Sequence, residues 1–256
     1  MESLNINPKN SIKKLTAFIS NTVKSKGFEK VILGLSGGLD SSVVAYLSQK
    51  ALGRENVIGV FMPYGKLSNE CLRQGKKVAA SLKIRSERID ISGMIEAYRL
   101  KAKDMDRVRL GNKMARERMS ILYDLSKKYN ALVIGTSNKT EILLGYGTMH
   151  GDVACALNPL GNLYKSQVRI LARSLGVPSG IICRPPTAGL WHGQTDEDEL
   201  GYTYEDIDKL LFCMIDKNLT KRDLLKKGFD EVFIRDIRER IRSNRFKSCP
   251  PVIATV

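Results

Sequence analysis

The sequence predicts an α/β fold, a doubly wound parallel sheet sandwiched by helices, with a helical C-terminal part. Three observations carry that expectation. Short uninterrupted apolar runs at residues 31–35, 57–62 and 131–136 are separated by stretches of helical periodicity. Runs without polar alternation suit strands buried on both faces, as in a parallel sheet. Beyond residue 160 the pattern is almost wholly helical. Right-handed crossovers then put any ligand beyond the carboxyl ends of the strands.

The elements follow in order. Ile12, Leu15, Ile19 and Val23 recur at helical spacing, so residues 11–26 form an amphipathic helix closed by Gly27. The run at 31–35 is the first strand, and a helix at 41–51 follows a glycine turn. The second strand, 57–62, stops at Pro63, and a helix occupies 69–81. A weaker third strand lies at 85–91, with a helix at 92–103. Met114, Arg118, Ile121, Leu125 and Tyr129 share one face of a helix over 113–129, for which Asn112 is the expected N-cap. The fourth strand is 131–136, and a helix at 163–175 ends at Gly176 and Pro178. Residues 184–201, rich in Gly, Pro and acid, read as a long loop, and two or three short helices fill 203–246. No repeat or linker divides the chain, so residues 1–256 are expected to form a single domain.

Charge narrows the function. Forty-two Lys and Arg against 27 Asp and Glu leave a net charge of +15, which points to nucleic acid, an acidic membrane surface or a phosphorylated small molecule. No run reaches the ~18 apolar residues of a membrane span. The opening MESLNINPKN lacks the charged-then-apolar pattern of a signal peptide, so a cytoplasmic location is expected. Cys71, Cys155, Cys183, Cys213 and Cys249 are odd in number and at least 28 residues apart, which argues against a disulfide framework or a zinc site. His150 and His192 are the only histidines, both beside glycine, and read as ordinary loop residues. Chemistry built on Ser-His-Asp or on a histidine cluster is not expected.

The most informative segment is Gly34-Leu-Ser-Gly-Gly-Leu-Asp-Ser41, at a strand-to-helix junction. Gly37 and Gly38 let backbone N–H groups turn inward, Ser36 and Ser41 add hydroxyls, and the following helix aims its positive end at the same point. No Lys follows the glycines as a Walker A loop requires, and the dinucleotide fingerprint is absent. Asp40 places a carboxylate inside a phosphate site, which a bridging divalent cation such as Mg²⁺ reconciles.

This loop resembles that of the N-type ATP pyrophosphatases, which cleave ATP between the α and β phosphates and adenylate a substrate oxygen. Downstream runs select one branch. Gly111-Asn-Lys-Met-Ala-Arg-Glu-Arg-Met119, Leu132-Val-Ile-Gly-Thr-Ser-Asn-Lys-Thr-Glu141, Gly145-Tyr-Gly-Thr-Met-His-Gly-Asp152, Asn158-Pro-Leu-Gly-Asn-Leu-Tyr-Lys165 and the loop from Pro185 to Gly201 are similar to those of the ammonia-dependent NAD synthetase family. The likeness runs collinearly from about residue 12 to 251. It implies a ligase that amidates nicotinic acid adenine dinucleotide with ammonia, through an adenylated carboxylate, releasing pyrophosphate and AMP. ATP is then a co-substrate and Mg²⁺ the cofactor.

Roles follow residue by residue from the resemblance. Residues 34–41, Thr136, Lys165 and Thr187 match ATP-binding positions, and Asp40 and Glu141 match Mg²⁺ ligands. Arg116 matches the arginine that contacts the dinucleotide. Asp40 and Lys165 would act electrostatically. Asp196 and Glu197 lie where a mobile loop, about 184–201, closes and excludes water. The family is homodimeric, and helices near 69–81 and 109–129 are candidates for the interface. Synthetase-like motifs begin almost at residue 12, leaving no room for a glutaminase domain, so free or partner-supplied ammonia is the expected donor.

The chain also departs from the family pattern. Met149 and Ala156 stand where some members carry Lys and Asp for the dinucleotide, and Gly189 stands where an Asp is common. The terminal His-Lys pair aligns with Arg245 and Phe246, with Lys247 next, so Lys247 or Arg245 is expected to replace the lysine. A competing reading is a tRNA-modifying ATP pyrophosphatase, suggested by eight basic residues in 99–118 and six in 235–247. Acids interrupt both runs, and no RNA-binding motif accompanies them.

Overall fold

The computed structural model describes residues 4–65, 69–187, 189, 191, 193–249 and 251–255, so His192 lies outside the described residues. Four strands, β1 (Lys30–Gly34), β2 (Val57–Phe61), β3 (Arg85–Arg88) and β4 (Ala131–Val133), form a sheet in the order β3-β2-β1-β4. Every pairing is parallel, with Val31 opposite Val57 and Leu132, and Ile58 opposite Arg85.

The apolar runs are buried on both faces, as a parallel sheet requires. Val31, Leu33, Val57 and Phe61 join a core with α1 (Pro8–Ser25), α2 (Leu39–Leu52), α3 (Asn69–Leu82) and α7 (Lys165–Leu175). Ile32, Ile58, Val60, Ala131 and Val133 face the other way, onto Met119, Leu122 and Leu125 of α5 (Arg107–Tyr129). Between those helices run α4 (Ser92–Arg99) and, after β4, α6 (Lys139–Leu144). The later helices are α8 (Ser179–Ile182), α9 (Asp196–Leu200), α10 (Tyr204–Leu211), α11 (Lys221–Lys226) and α12 (Glu231–Asn244). The last three build their own core around Tyr204, Ile207, Leu211, Leu224 and Ile234, joined by Leu144 and Tyr164.

Several boundaries differ from expectation, each for a local reason. The long helix α5 begins at Arg107, capped by Asp106, whose carboxylate accepts the Arg109 N–H at 2.7 Å. Asn112 lies inside it and accepts the Thr148 hydroxyl instead. Arg107, Val108 and Arg109 are exposed, while Leu110 packs half-buried beside Ile91, Ile95 and Met114. The acidic stretch expected as loop holds α9, where Thr195 caps the Asp198 N–H and four acids meet the helix N-terminus. β3 stops at Arg88 and β4 at Val133, beyond which Ile134 keeps one bridge to Leu157. Helix α4 ends at Arg99 rather than 103, and α7 begins at Lys165, where Tyr164 and Gln167 form its cap.

The chain adds strands in one direction from β1 to β3, then crosses beneath the sheet through α5 and returns beside β1 as β4. A crevice therefore opens at the carboxyl ends of β1 and β4, where ligands settle in open α/β sheets. Replacing Asp106 by Ala should cost about 1 kcal/mol of stability in chemical denaturation, the usual worth of an N-cap. An unchanged midpoint and slope would show that this cap does not set the start of α5.

Candidate active site

The glycine loop, residues 34–41, leaves the end of β1 at Gly34 and enters α2, whose N-cap is Gly38. Ser36 Oγ accepts the Gly38 N–H at 3.2 Å and lies 3.0 Å from Ser41 Oγ. Gly37 has a φ of +78°, and a Cβ there would stand 2.0 Å from the Cys71 carbonyl oxygen of α3. Only glycine tolerates both the left-handed backbone and that approach. Asp40 falls in the first turn of α2, with its carboxylate turned into the crevice.

Opposite the loop, α6 begins with a capping box. Asn138 Oδ1 accepts the Glu141 N–H at 3.0 Å, and Glu141 Oε2 accepts the Asn138 N–H at 3.2 Å. Asn138 Nδ2 also donates to Asp40 Oδ1 at 3.3 Å, tying the two helix starts together. Lys165, the first residue of α7, inserts its ammonium between the carboxylates, 2.5 Å from Asp40 Oδ2 and 3.1 Å from Glu141 Oε1. Its side chain is 4% exposed, and its Nζ stands 5.0 Å from the centre of the Tyr204 ring.

Burial dominates the electrostatics. It pushes Glu141 up to about 7, helped by the charge of Asp40 and opposed by Lys165. Burial works against the Lys165 charge too, but Asp40 and Glu141 outweigh it and hold the ammonium protonated well above its ordinary range. Asp196 of α9 completes the cluster. It is buried, and its two oxygens accept the Tyr146 and Tyr204 hydroxyls, each at 3.2 Å. Glu197, by contrast, turns to the Tyr204 N–H at 2.9 Å.

These groups line a cavity of about 330 Å³. The loop residues Gly34, Leu35, Ser36, Gly38, Leu39, Asp40 and Ser41 line it, as do Thr136, Glu141, Lys165, Thr187, Gly189 and Asp196. Thr187 Oγ1 accepts the Gly189 N–H at 3.0 Å. Arg118, Arg169, Arg184 and Asp152 line it as well, and sequence reasoning had singled out none of them as site residues. Arg118 Nε donates to the Met62 carbonyl at 3.1 Å, fixing the guanidinium at the end of β2. Asn138 was equally missed, although an Asn three residues before a Glu is a legible cap signal.

The expected acceptor-binding residues stand apart from this cavity. Arg116 donates to the Met149 carbonyl at 3.2 Å on the exposed face of α5. Ala156 is exposed, with its N–H bound to the Val133 carbonyl. Arg245 and Phe246 are exposed in a turn after α12, while Lys247 Nζ donates to the Gly145 and Gly147 carbonyls at 2.8 and 3.3 Å. Lys247 is thus the member of that trio held against the segment that leads to Asp152.

Among the described residues no three His, Cys, Asp or Glu side chains gather as a ready metal cage. Asp40 and Glu141 nonetheless present hard carboxylate oxygens to one point, occupied by the Lys165 ammonium. Two carboxylates suit a small divalent cation that takes its remaining ligands from water and phosphate.

A glycine cradle at the switch point, faced by two carboxylates and a lysine, fits a nucleoside triphosphate, and the comparisons narrow this to one family. The model of the NAD synthase family matches residues 11–251. This chain belongs to that family. An NH(3)-dependent NAD(+) synthetase of Fusobacterium nucleatum is 46% identical over 256 residues, covering 100% of this chain and 99% of that protein. The NH3-dependent NAD synthetase structure from Campylobacter jejuni overlays with a TM-score of 0.84 at 36% identity, covering 98% and 100% of the two chains. An NMN synthetase structure from Francisella tularensis overlays with a TM-score of 0.88 at 32% identity, over 98% and 100%. The parallel sheet flanked by helices is the NAD synthetase fold.

Two outcomes test this geometry. Gly37→Ala should cost at least about 1–2 kcal/mol from the backbone alone, with further loss from the clash at Cys71. Calorimetric ATP binding should fall with it, and intact affinity would remove the loop from the nucleotide site. For Glu141, folding raises the value of an acid, so its stabilising contribution is full below about pH 4.5 and lost as pH climbs through about 7. Glutamine at 141 keeps the cap without the charge. Ligand-free wild-type protein should therefore lose Tm relative to Glu141→Gln across that window, and a pH-independent gap would contradict the assignment.

Proposed function

We propose that this NAD synthase family member uses ATP to amidate nicotinic acid adenine dinucleotide with ammonia, yielding NAD, AMP and pyrophosphate. The observation that carries this reading is the convergence of the phosphate loop, Asp40, Glu141 and Lys165 on one cavity at the strand switch point. The full-length likeness to proteins named NH(3)-dependent NAD(+) synthetases supports the same reaction, and disfavours tRNA modification.

A carboxylate resists nucleophiles and would have to expel oxide. Transfer of AMP onto it creates a mixed anhydride with a good leaving group, which ammonia then displaces. Negative charge accumulates in both steps, so positioning and electrostatic stabilisation outweigh acid–base chemistry. The loop 34–41 cradles the triphosphate through N–H groups and the hydroxyls of Ser36 and Ser41. Thr136 and Thr187 border the nucleotide, and Lys165 supplies a fixed positive charge. Asp40 and Glu141 would hold Mg²⁺, which neutralises phosphate charge when bound. Arg116, with Lys247, Arg245 and Phe246, is assigned to the acceptor. The position of the Arg116 group outside the nucleotide cavity fits a long dinucleotide and a homodimer in which a second copy completes the acceptor site. Asp196, anchored by Tyr146 and Tyr204, holds α9 at the cavity wall beside Arg184 and Thr187 and limits hydrolysis of the anhydride. Residues 1–256 act as one synthetase unit.

One observation favours a second acceptor. The Francisella tularensis structure that overlays so closely is an NMN synthetase, and nicotinic acid mononucleotide presents the same carboxylate. The decisive assay supplies ATP, Mg²⁺ and ammonium with either acid, and runs glutamine as a parallel donor. NAD and AMP should form from the dinucleotide with ammonium and not with glutamine. Faster turnover of the mononucleotide would reassign the acceptor, and adenylation of tRNA alone would refute the reaction. Asp40→Ala should lower pyrophosphate release by at least about 100-fold while leaving the circular dichroism spectrum unchanged. Retained release would take Asp40 out of the reaction.

A further inference from the structure

Asp208 is a fully buried carboxylate on α10, outside the nucleotide cavity and within the C-terminal helices. Its Oδ1 accepts the Thr140 hydroxyl at 2.5 Å, and its Oδ2 accepts the Ser166 N–H at 2.8 Å. Thr140 Oγ1 in turn accepts the Lys165 N–H at 3.1 Å. One side chain therefore fastens the first turn of α6 to the first turn of α7. Thr140 precedes Glu141, and Ser166 follows Lys165.

A carboxylate in this place is expensive. Its helix neighbours Tyr204, Ile207, Leu210 and Leu211 are all fully buried. Among the described residues it forms no ion pair within bonding distance, and burial pushes its pKa up. An apolar side chain would hold α10 in its core at lower desolvation cost. What an apolar side chain cannot do is fix two neighbouring backbone starts to one point. Small displacements of charged groups that must meet phosphate and metal have large effects on rate.

We propose that Asp208 is a positioning residue that sets the spacing of Glu141 and Lys165 against Asp40, making the C-terminal helices part of the nucleotide site. The proposal rests on the reading of that cavity as the MgATP site. It is tested with Asp208→Asn, Thr140→Val and Thr140→Ser in the full chain. MgATP affinity is measured by calorimetry, alongside kcat, both KM values and Tm.

Asp208→Asn and Thr140→Val should each weaken MgATP binding by about tenfold, the worth of one hydrogen bond to a charged group. They should lower kcat and leave the KM of the acceptor within about twofold. Thr140→Ser restores the hydroxyl and should restore both values. The double variant should lose no more than the worse single one, because both break one chain of bonds. Lowered Tm with unchanged MgATP affinity and kcat would overturn the proposal, as would additive losses. Should Asp208→Asn fail to fold, the Thr140 pair decides alone. Wild-type protein that binds MgATP yet makes neither NAD nor NMN refutes the proposed reaction, while the affinity comparison still decides Asp208. Wild-type protein that binds no MgATP overturns both.

Discussion

A single ammonium holds two carboxylates together in this site, and much of the rest is arranged around that contact. Without Lys165, Asp40 and Glu141 would face one another across a partly desolvated crevice and repel. With it, three segments far apart in the chain are drawn to one point. The arrangement has a chemical use as well. Under the proposed reaction, a divalent cation held by the same two carboxylates would displace the ammonium toward the phosphates it accompanies. Breaking such a buried pair on one side leaves an uncompensated charge, which is far more damaging than never having had the pair.

The surrounding fold serves this contact from both directions. The parallel sheet delivers Asp40 and Glu141 from strand ends that are neighbours in space, because β4 returns beside β1. Helix α10 delivers Tyr204 and Asp208, and α9 delivers Asp196. The cavity cations are few beside a net charge of +15. The charge therefore anticipated phosphate ligands correctly in kind, while most of it lies on the solvent-facing surface.

The architecture was legible because its signals are local and strong. Apolar runs as dense as 31–35 leave no choice but a doubly buried strand, and Gly37 and Gly38 announce a turn whichever ligand fills it. The motif residues Asp40, Thr136, Glu141, Lys165 and Thr187 do meet around one cavity. What stayed hidden was long-range or polar. The first three residues of α5 are exposed, and the Asp106 side chain marks its start. Arg118 looked like one more position on a helical face, since nothing local tells a cavity-facing arginine from a packed one. Asp208 sits in an ordinary amphipathic stretch, and its partners Thr140 and Ser166 are 68 and 42 residues away.

Those separations also govern when the molecule becomes competent. The Lys165–Asp40 contact joins residues 125 apart in sequence, and the site is finished only by groups beyond residue 195. A chain emerging from the ribosome exposes its glycine cradle well before Lys165, the residue that pairs with Asp40. The cluster is therefore completed only when contacts of large sequence separation form, which places its assembly among the slow, late events of folding.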